Sequence, residues 1–377
     1  LNVTKKGLPS IVKRVWADAL SQFDAYRLNK YKSKGLIDLV RISHAKSDLI
    51  SELMTTGDVT ITSTEQTWES LRSQGKTWKE IFDTIKIPHM ALLRNLRGIF
   101  TEVEDLEFAK KVCEQLKGGV LYGKQFPFRY YTAYQAVGSV NHSGLLRDTL
   151  EECLDISVAN LPKLKGKTVC LSDNSGSAHG SMTSEYGTVS IAEIGNLSSI
   201  VTALQSDEGE VGVFGDRLSM KPVSSRNGIL SQMKETNDRG REQGMGTENG
   251  IWLFFRDAIE NKTHYDNIFC YSDMQVGHGQ LFGENVSEYK DYIYGDSHHG
   301  RYIDVLKLVQ KYRKVVNPKV NIFTVQTAGY NNSVVPENLY RGAILGGWTG
   351  KESSYAKALI DTWGQIESVV PVTEVTQ

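Results

Sequence analysis

A helical repeat domain followed by a doubly wound, mostly parallel, Rossmann-like α/β domain is the fold this 377-residue sequence predicts. Three observations carry the prediction. Up to Lys165 the chain holds short amphipathic segments punctuated by glycine, with few strand signals. From about Lys167 short apolar runs alternate with amphipathic ones, the pattern of βαβ units and a parallel sheet. Between the two lie Pro162 and the basic stretch Lys163–Lys167, which sets expected domains at 1–165 and 166–377.

In the front half Ile11, Val15, Ala19 and Phe23 recur every four residues, which predicts a helix with an apolar stripe. Leu36, Ile37, Leu39, Val40 and Ile42 belong to a second short helix. Further helices are expected near 65–73, 77–85, 89–100, 104–117, 127–138 and 145–158, with Gly35, Gly57, Gly75, Gly118, Gly119 and Gly123 as punctuation. Short helices with short connections point to an α-solenoid of helical pairs, although no repeat period is visible.

In the back half, strands are expected at 168–172, 210–214, 217–221, 266–272, 318–325 and 341–346. Helices are expected near 188–205, 227–236, 248–260, 301–314 and 353–365. The pair at 210–221, joined by Gly215-Asp216, reads as a hairpin at an antiparallel edge.

Composition is that of a globular protein, with 40% hydrophobic and 23% charged residues. No apolar run approaches the roughly 20 residues of a membrane span, and the start lacks a signal-peptide pattern. Cys113, Cys153, Cys170 and Cys270 are dispersed without a C-x-x-C pair. They read as reduced thiols of an intracellular, cytoplasmic protein. The first residue is Leu, so the chain is read as processed or as a piece of something longer. The net charge of -1 conceals an asymmetry. Residues 1–165 hold 24 basic and 19 acidic residues, and the first fifty hold ten and four. Such a basic front is either a local polyanion site or a solvated, lysine-rich helix face.

The most informative motif is Asp173-Asn174-Ser175-Gly176-Ser177, directly after the apolar run Thr168–Ser172. A carboxylate and two hydroxyls on a turn at a strand's carboxyl end suit a hard divalent cation that keeps part of its water shell. Gly246-Thr247 precedes a helix-like run, and Asp273 ends the run Asn267–Ser272. Together these positions resemble the metal-ion-dependent adhesion site of von Willebrand factor A domains. The resemblance implies Mg²⁺, or another divalent cation, held directly by Asp173, Ser175 and Ser177, with Thr247 and Asp273 direct or through water. Gly244-Met245-Gly246 is not a phosphate loop, because no Lys-Ser/Thr follows; its glycines are expected to let the Thr247 loop approach the metal. His278 and the pair His298-His299 are read as loop residues rather than ligands.

The front half carries a second resemblance. Leu39–Lys46 is similar to the L-x-R-x-S-H-x-K segment of the TROVE domain, and Ile87–Leu96 to its P-x-x-A-L-L-R-N-L segment. Phe126–Tyr130 matches the family's H-P-F stretch in part. In that order, ahead of an A-type domain, the segments resemble the Ro autoantigen family. The family implies a ring of HEAT-like repeats closed by the metal-site domain. It also implies small noncoding RNAs on the outside and single-stranded RNA 3′ ends through the hole. The helical part here is short, so closure of a ring by this chain alone is not expected outright, and a missing N-terminal portion, a smaller ring and a partner chain all stay open.

Arg27, Lys30, Lys32, Lys34, Arg41, His44 and Lys46 are the expected RNA-binding residues, with Tyr26 and Tyr31 interleaved. Basic side chains neutralise phosphates and tyrosine faces stack on unpaired bases. His44 matches a histidine the family uses for RNA; the plainer alternative is a histidine hydrogen-bonded within the protein. For Arg94 and Arg97 both RNA contact and helix packing stay open, and the arginine of the A-L-L-R-N-L segment, Arg94, is read as buttressing packing rather than binding RNA. Three function classes follow. The first is a non-enzymatic RNA-binding scaffold whose metal recruits a protein partner through an acidic side chain. The second is a metal-dependent adhesion or assembly module without RNA. The third, a metal-dependent phosphohydrolase, is disfavoured because no Lys or Arg stands beside Asp173, Thr247 or Asp273 in sequence to stabilise a transferring phosphoryl group.

Overall fold

The computed structural model of the chain describes residues 9–60, 66–180, 189–246, 248–273, 293–297, 300–303, 305–328, 339–347 and 351–369. The chain divides into two units, Leu1–Pro88 with Thr101–Val103, and His89–Phe100 with Glu104–Gln377.

In the first unit, helix starts follow the capping chemistry of the sequence. Asp24 accepts the Arg27 N–H at 2.7 Å and starts the helix Ala25–Tyr31. Ser47 accepts the Ile50 N–H at 3.1 Å and starts Asp48–Thr56. Thr67 with Ser70, and Thr77 with Glu80, form reciprocal boxes ahead of Trp68–Ser73 and Trp78–Thr84. Gly35 and Gly57 reach φ of 85° and 82°, the left-handed turn that glycine adopts without a Cβ penalty. Leu20, Leu28, Leu36, Val40, Ile50 and Leu53 form the buried cluster of this unit.

The first helix, Ser10–Ser21, corrects one expectation. Ile11 and Val15 are 63% and 57% exposed, and Leu20 instead is buried, with Ala17 and Phe23 packed beside it. Four-residue steps drift only about 40° each, so Ile11, Val15 and Ala19 do share one stripe, but it is the exposed one. The inward face instead carries Ala17 and Leu20, three residues apart, with Phe23 just past the helix end packed on the same cluster.

The second unit combines helices His89–Glu102 (up to Phe100), Leu106–Gly118, Pro127–Ala136 and Ser143–Ser157 with a sheet. Its strands are β1 (Leu164–Asp173), β2 (Ser206–Phe214), β3 (Leu218–Pro222), β4 (Asn267–Ser272), β5 (Ile293–Ser297), β6 (Gly300–Ile303), β7 (Asn321–Gln326) and β8 (Gly342–Gly346). Six of them lie in the order β3-β2-β1-β4-β7-β8, and every neighbour pair is parallel except the β2–β3 hairpin. All six residues of β4 are buried, as are the last six of β1, which explains their uninterrupted apolar runs.

The expected doubly wound architecture is therefore present. Antiparallel β5 and β6 were not foreseen, and the helix expected over 301–314 instead covers Val305–Val315 after β6. The basic stretch at 163–167 runs into β1 rather than forming a linker. Gly166 has φ of 82° there, and the Lys167 N–H donates to Asp266 at 2.7 Å. Secondary structure changes character at Leu164, whereas the units divide at Pro88. Helices on either side of residue 165 are joined by the Tyr131 hydroxyl donating to Glu193 at 3.4 Å and the Ile229 N–H donating to Asp155 at 2.9 Å. Among the described residues no helix is long and apolar enough to cross a membrane. All four cysteines are buried thiols.

Candidate metal centre and nucleic-acid interface

The chain lays down β1, β2 and β3 toward one edge and then returns to place β4 on the other side of β1. The β1/β4 boundary is thus the topological switch point, and ligands of open α/β sheets bind outside the carboxyl ends of the strands there. Asp173 ends β1 and Asp273 follows β4, both essentially buried at 2% and 1% exposure. The fold itself brings the two carboxylates to one crevice.

Asp173 is held from both oxygens. The Ser175 N–H donates to Oδ1 at 2.9 Å and the Ser272 hydroxyl to Oδ2 at 2.7 Å. Ser175 Oγ and Ser177 Oγ lie 3.1 Å apart, so the two hydroxyls of the motif converge. Burial pushes the Asp173 carboxyl up to about 6, and the Asp273 charge adds to the rise while the Ser175 and Ser272 bonds oppose it. Two buried carboxylates beside paired hydroxyls form an oxygen-donor set suited to a divalent cation.

A third loop closes in. The Gly176 N–H donates to the Met245 carbonyl at 2.9 Å, and the Met245 N–H donates to Asp216 at 3.0 Å. Gly244 has φ of 90°, and a Cβ there would strike Asp216, so glycine is what lets this loop reach the motif. The expected ligand Thr247 lies just beyond Gly246, outside the described residues, as do His278, His298 and His299.

Sequence reasoning missed the group that holds the motif in place. Buried Asn174 exchanges amide bonds with Asn196 at 2.9 and 3.0 Å, and Asn196 also donates to Asn237 at 2.7 Å. Gly240 leaves the room that Asn174 occupies. The signal was present, since Asn196 is a lone amide inside the apolar helix Ile191–Leu204. A buried amide there requires polar partners.

The RNA-binding candidates fall into two groups. Arg27 faces Asp24 at 3.6 Å, Lys30 faces Glu69 at 3.2 Å, Lys32 pairs with Asp58, and Arg41 faces Asp38 at 4.0 Å. Lys34, His44 and Lys46 are exposed, with no side-chain hydrogen bond or ion pair among the described residues. His44 has φ of 58° at the end of the helix Leu36–Ser43, which projects it from the helix terminus. Lys30 also lies 5.3 Å from the Tyr26 ring and 5.7 Å from Tyr31, placing charge and aromatic faces together.

In the second unit, His89 donates or accepts with the Tyr130 hydroxyl at 2.7 Å, and burial lowers its proton affinity. A Cβ on either Gly119 or Gly123 would collide with its imidazole, so both glycines make the slot it fills. Arg94 and Arg97 are both exposed on the helix His89–Glu102, on the side that faces the helix Pro127–Ala136.

A helical N-terminal region joined to a mixed, mostly parallel sheet with helices on its faces is the architecture of Ro proteins. The comparisons with known proteins agree. Residues 59–153 match the TROVE domain family. Telomerase protein component 1 of Mus musculus and that of Rattus norvegicus are each 33% identical over 78 residues, spanning 19% of this chain and 3% of theirs. The chain therefore corresponds to a small fraction of those relatives. The crystal structure of the Deinococcus radiodurans RO (RSR) protein shares the fold, with a TM-score of 0.62 over 94% of this chain and 78% of that one, at 13% identity. The sequence match is thus to the TROVE domain over residues 59–153, and the likeness to the RO protein is one of fold. The 39–46 segment lies ahead of the matched stretch.

Proposed function

We propose that the chain is an RNA-binding ribonucleoprotein component of the Ro type, a scaffold rather than an enzyme. The observation that carries this reading is the TROVE match over residues 59–153 in a chain with a Ro-like fold. The basic segment 27–46 is its RNA surface. There Lys34, His44 and Lys46 are the side chains without competing carboxylates, and Tyr26 and Tyr31 offer stacking faces. The RNA class is small structured noncoding RNA, together with single-stranded 3′ ends, and the expected compartment is the cytoplasm.

A divalent cation, Mg²⁺ first, belongs to the same reading. Asp173, Ser175, Ser177 and Asp273 would hold it, with Thr247 completing the set. Bound there, the ion neutralises two buried carboxylates and offers a coordination position to water or to an acidic side chain of a protein partner. The described donors Asp173, Ser175, Ser177 and Asp273 suit such an ion, being all oxygen and lying at the carboxyl ends of β1 and β4.

Mobility shift with a labelled RNA ending in a single-stranded 3′ tail tests the reading. Binding should weaken steeply with salt, at roughly 0.7 in log–log slope per phosphate contact on single strands. Lys34→Ala with Lys46→Ala should lower the slope by about 1.4. Lys30→Ala and Lys32→Ala should matter less, because their acidic partners already compete. His44→Ser should weaken binding with little change in slope. RNA that shifts equally with wild type and the Lys34/Lys46 variant would remove this segment from the interface, and an absence of any shift would favour a metal-dependent assembly module.

A further inference from the structure

The helices His89–Glu102 and Pro127–Ala136 of the second unit enclose a groove of about 210 Å³ that neither the metal centre nor the 27–46 segment explains. Helical spacing builds it. Leu93, Arg94 and Arg97 fall on one face of the first helix, and Arg129, Thr132 and Ala133 on one face of the second. Arg94, Arg97 and Arg129 line one groove, Arg97 with a further interaction of its own. Arg94 and Arg129 are the two exposed guanidinium groups the proposal uses, and no acidic residue stands among the described lining. Its floor is apolar, with Leu93, Leu96 and Val137 buried beneath the arginines.

We propose that this groove seats one nucleotide of single-stranded RNA, a second contact point that rests on the RNA-binding reading and extends it to the second unit. The arginine fork pairs with phosphate oxygens in a bidentate way, and its plane stacks on unpaired bases. Arginines above an apolar floor thus serve both halves of a nucleotide. An acidic peptide would use only the charge. Pockets that engulf drug-sized molecules run to roughly 300–1,000 Å³; this smaller, surface groove suits one unit of a longer chain lying across it.

Fluorescence anisotropy of the full chain with a short labelled oligouridylate tests the proposal. Arg94→Ala combined with Arg129→Ala should weaken binding about a hundredfold, roughly tenfold for each guanidinium. The salt slope should fall by about 1.4. Both residues are exposed on helices and alanine favours helix, so thermal melting should stay at the wild-type value. Arg94→Lys with Arg129→Lys, which preserves charge and fold, should keep the slope and lose affinity, because the fork is gone. If the alanine variant binds oligouridylate as wild type does while Lys34→Ala with Lys46→Ala loses it, the groove is overturned and the RNA reading stands. If wild type binds no oligouridylate at any salt, both fall. An oligoglutamate peptide that binds wild type and loses affinity in the alanine variant, with oligouridylate unaffected, would assign the groove to an acidic protein instead.

Discussion

Asn196→Leu is expected to destabilise the protein by about 3 kcal/mol, because it strands the buried Asn174 amide and takes the partner of half-buried Asn237. Leucine has a similar volume and favours helix, so neither a cavity nor a propensity loss accounts for the change. At roughly 2–4 °C per kcal/mol for a unit of this size, melting should drop by about 6–12 °C. The same substitution should loosen Asn174 and so the Asp173–Ser177 turn, abolishing any rise in melting temperature on adding Mg²⁺. Wild-type melting in the leucine variant would show that the amide chain does not hold the motif.

Asp173→Asn should separate the cost of the buried carboxylate from its use. Without metal the unfolded chain loses this proton near 3.8 and the folded chain near 6. The folded state therefore binds more protons across that window, and stability falls as pH rises through it, reaching a deficit of about 3 kcal/mol above pH 6. In chelator at neutral pH the asparagine variant should melt at or above wild type. Its amide can still accept from the Ser175 N–H and donate to the Ser272 hydroxyl. In millimolar Mg²⁺ the order should reverse. Wild type gains about 2.7 kcal/mol when the ion stands at a hundred times its dissociation constant, and the variant gains none. Equal responses of the two proteins to Mg²⁺ would remove Asp173 from the ligand set.

Much of the second unit was legible because burial on both faces writes β1 and β4 as continuous apolar runs. Asp173 and Asp273 sit where those runs stop. The helices near 65–73 and 77–85 were legible too, whereas Ala25–Tyr31 and Asp48–Thr56 were not foreseen, although Asp24 and Ser47 cap them. What stayed hidden depends on partners distant in sequence. Asn196 drew no reading from sequence, because its partners Asn174 and Asn237 lie 22 and 41 residues away. Lys30 and Lys32 looked like free phosphate ligands until Glu69 and Asp58 appeared beside them. Arg94 looked like a packing residue because its motif is mostly apolar, yet its position at 94 turns outward while Leu92, Leu93 and Leu96 turn in. Ile11 and Val15 misled because their shared apolar face turns to solvent, while the neighbouring face with Ala17 and Leu20 packs inward.

Photo-crosslinking of the full chain to a small structured RNA bearing a single-stranded 3′ end, with the attached peptides sequenced, tests the central claim most directly. Crosslinks to Tyr26, Tyr31 or His44, lost at high salt and unaffected by Asp173→Ala, are the predicted result. Saturable binding with crosslinks confined to residues 164–369 and none within 26–46 would contradict it.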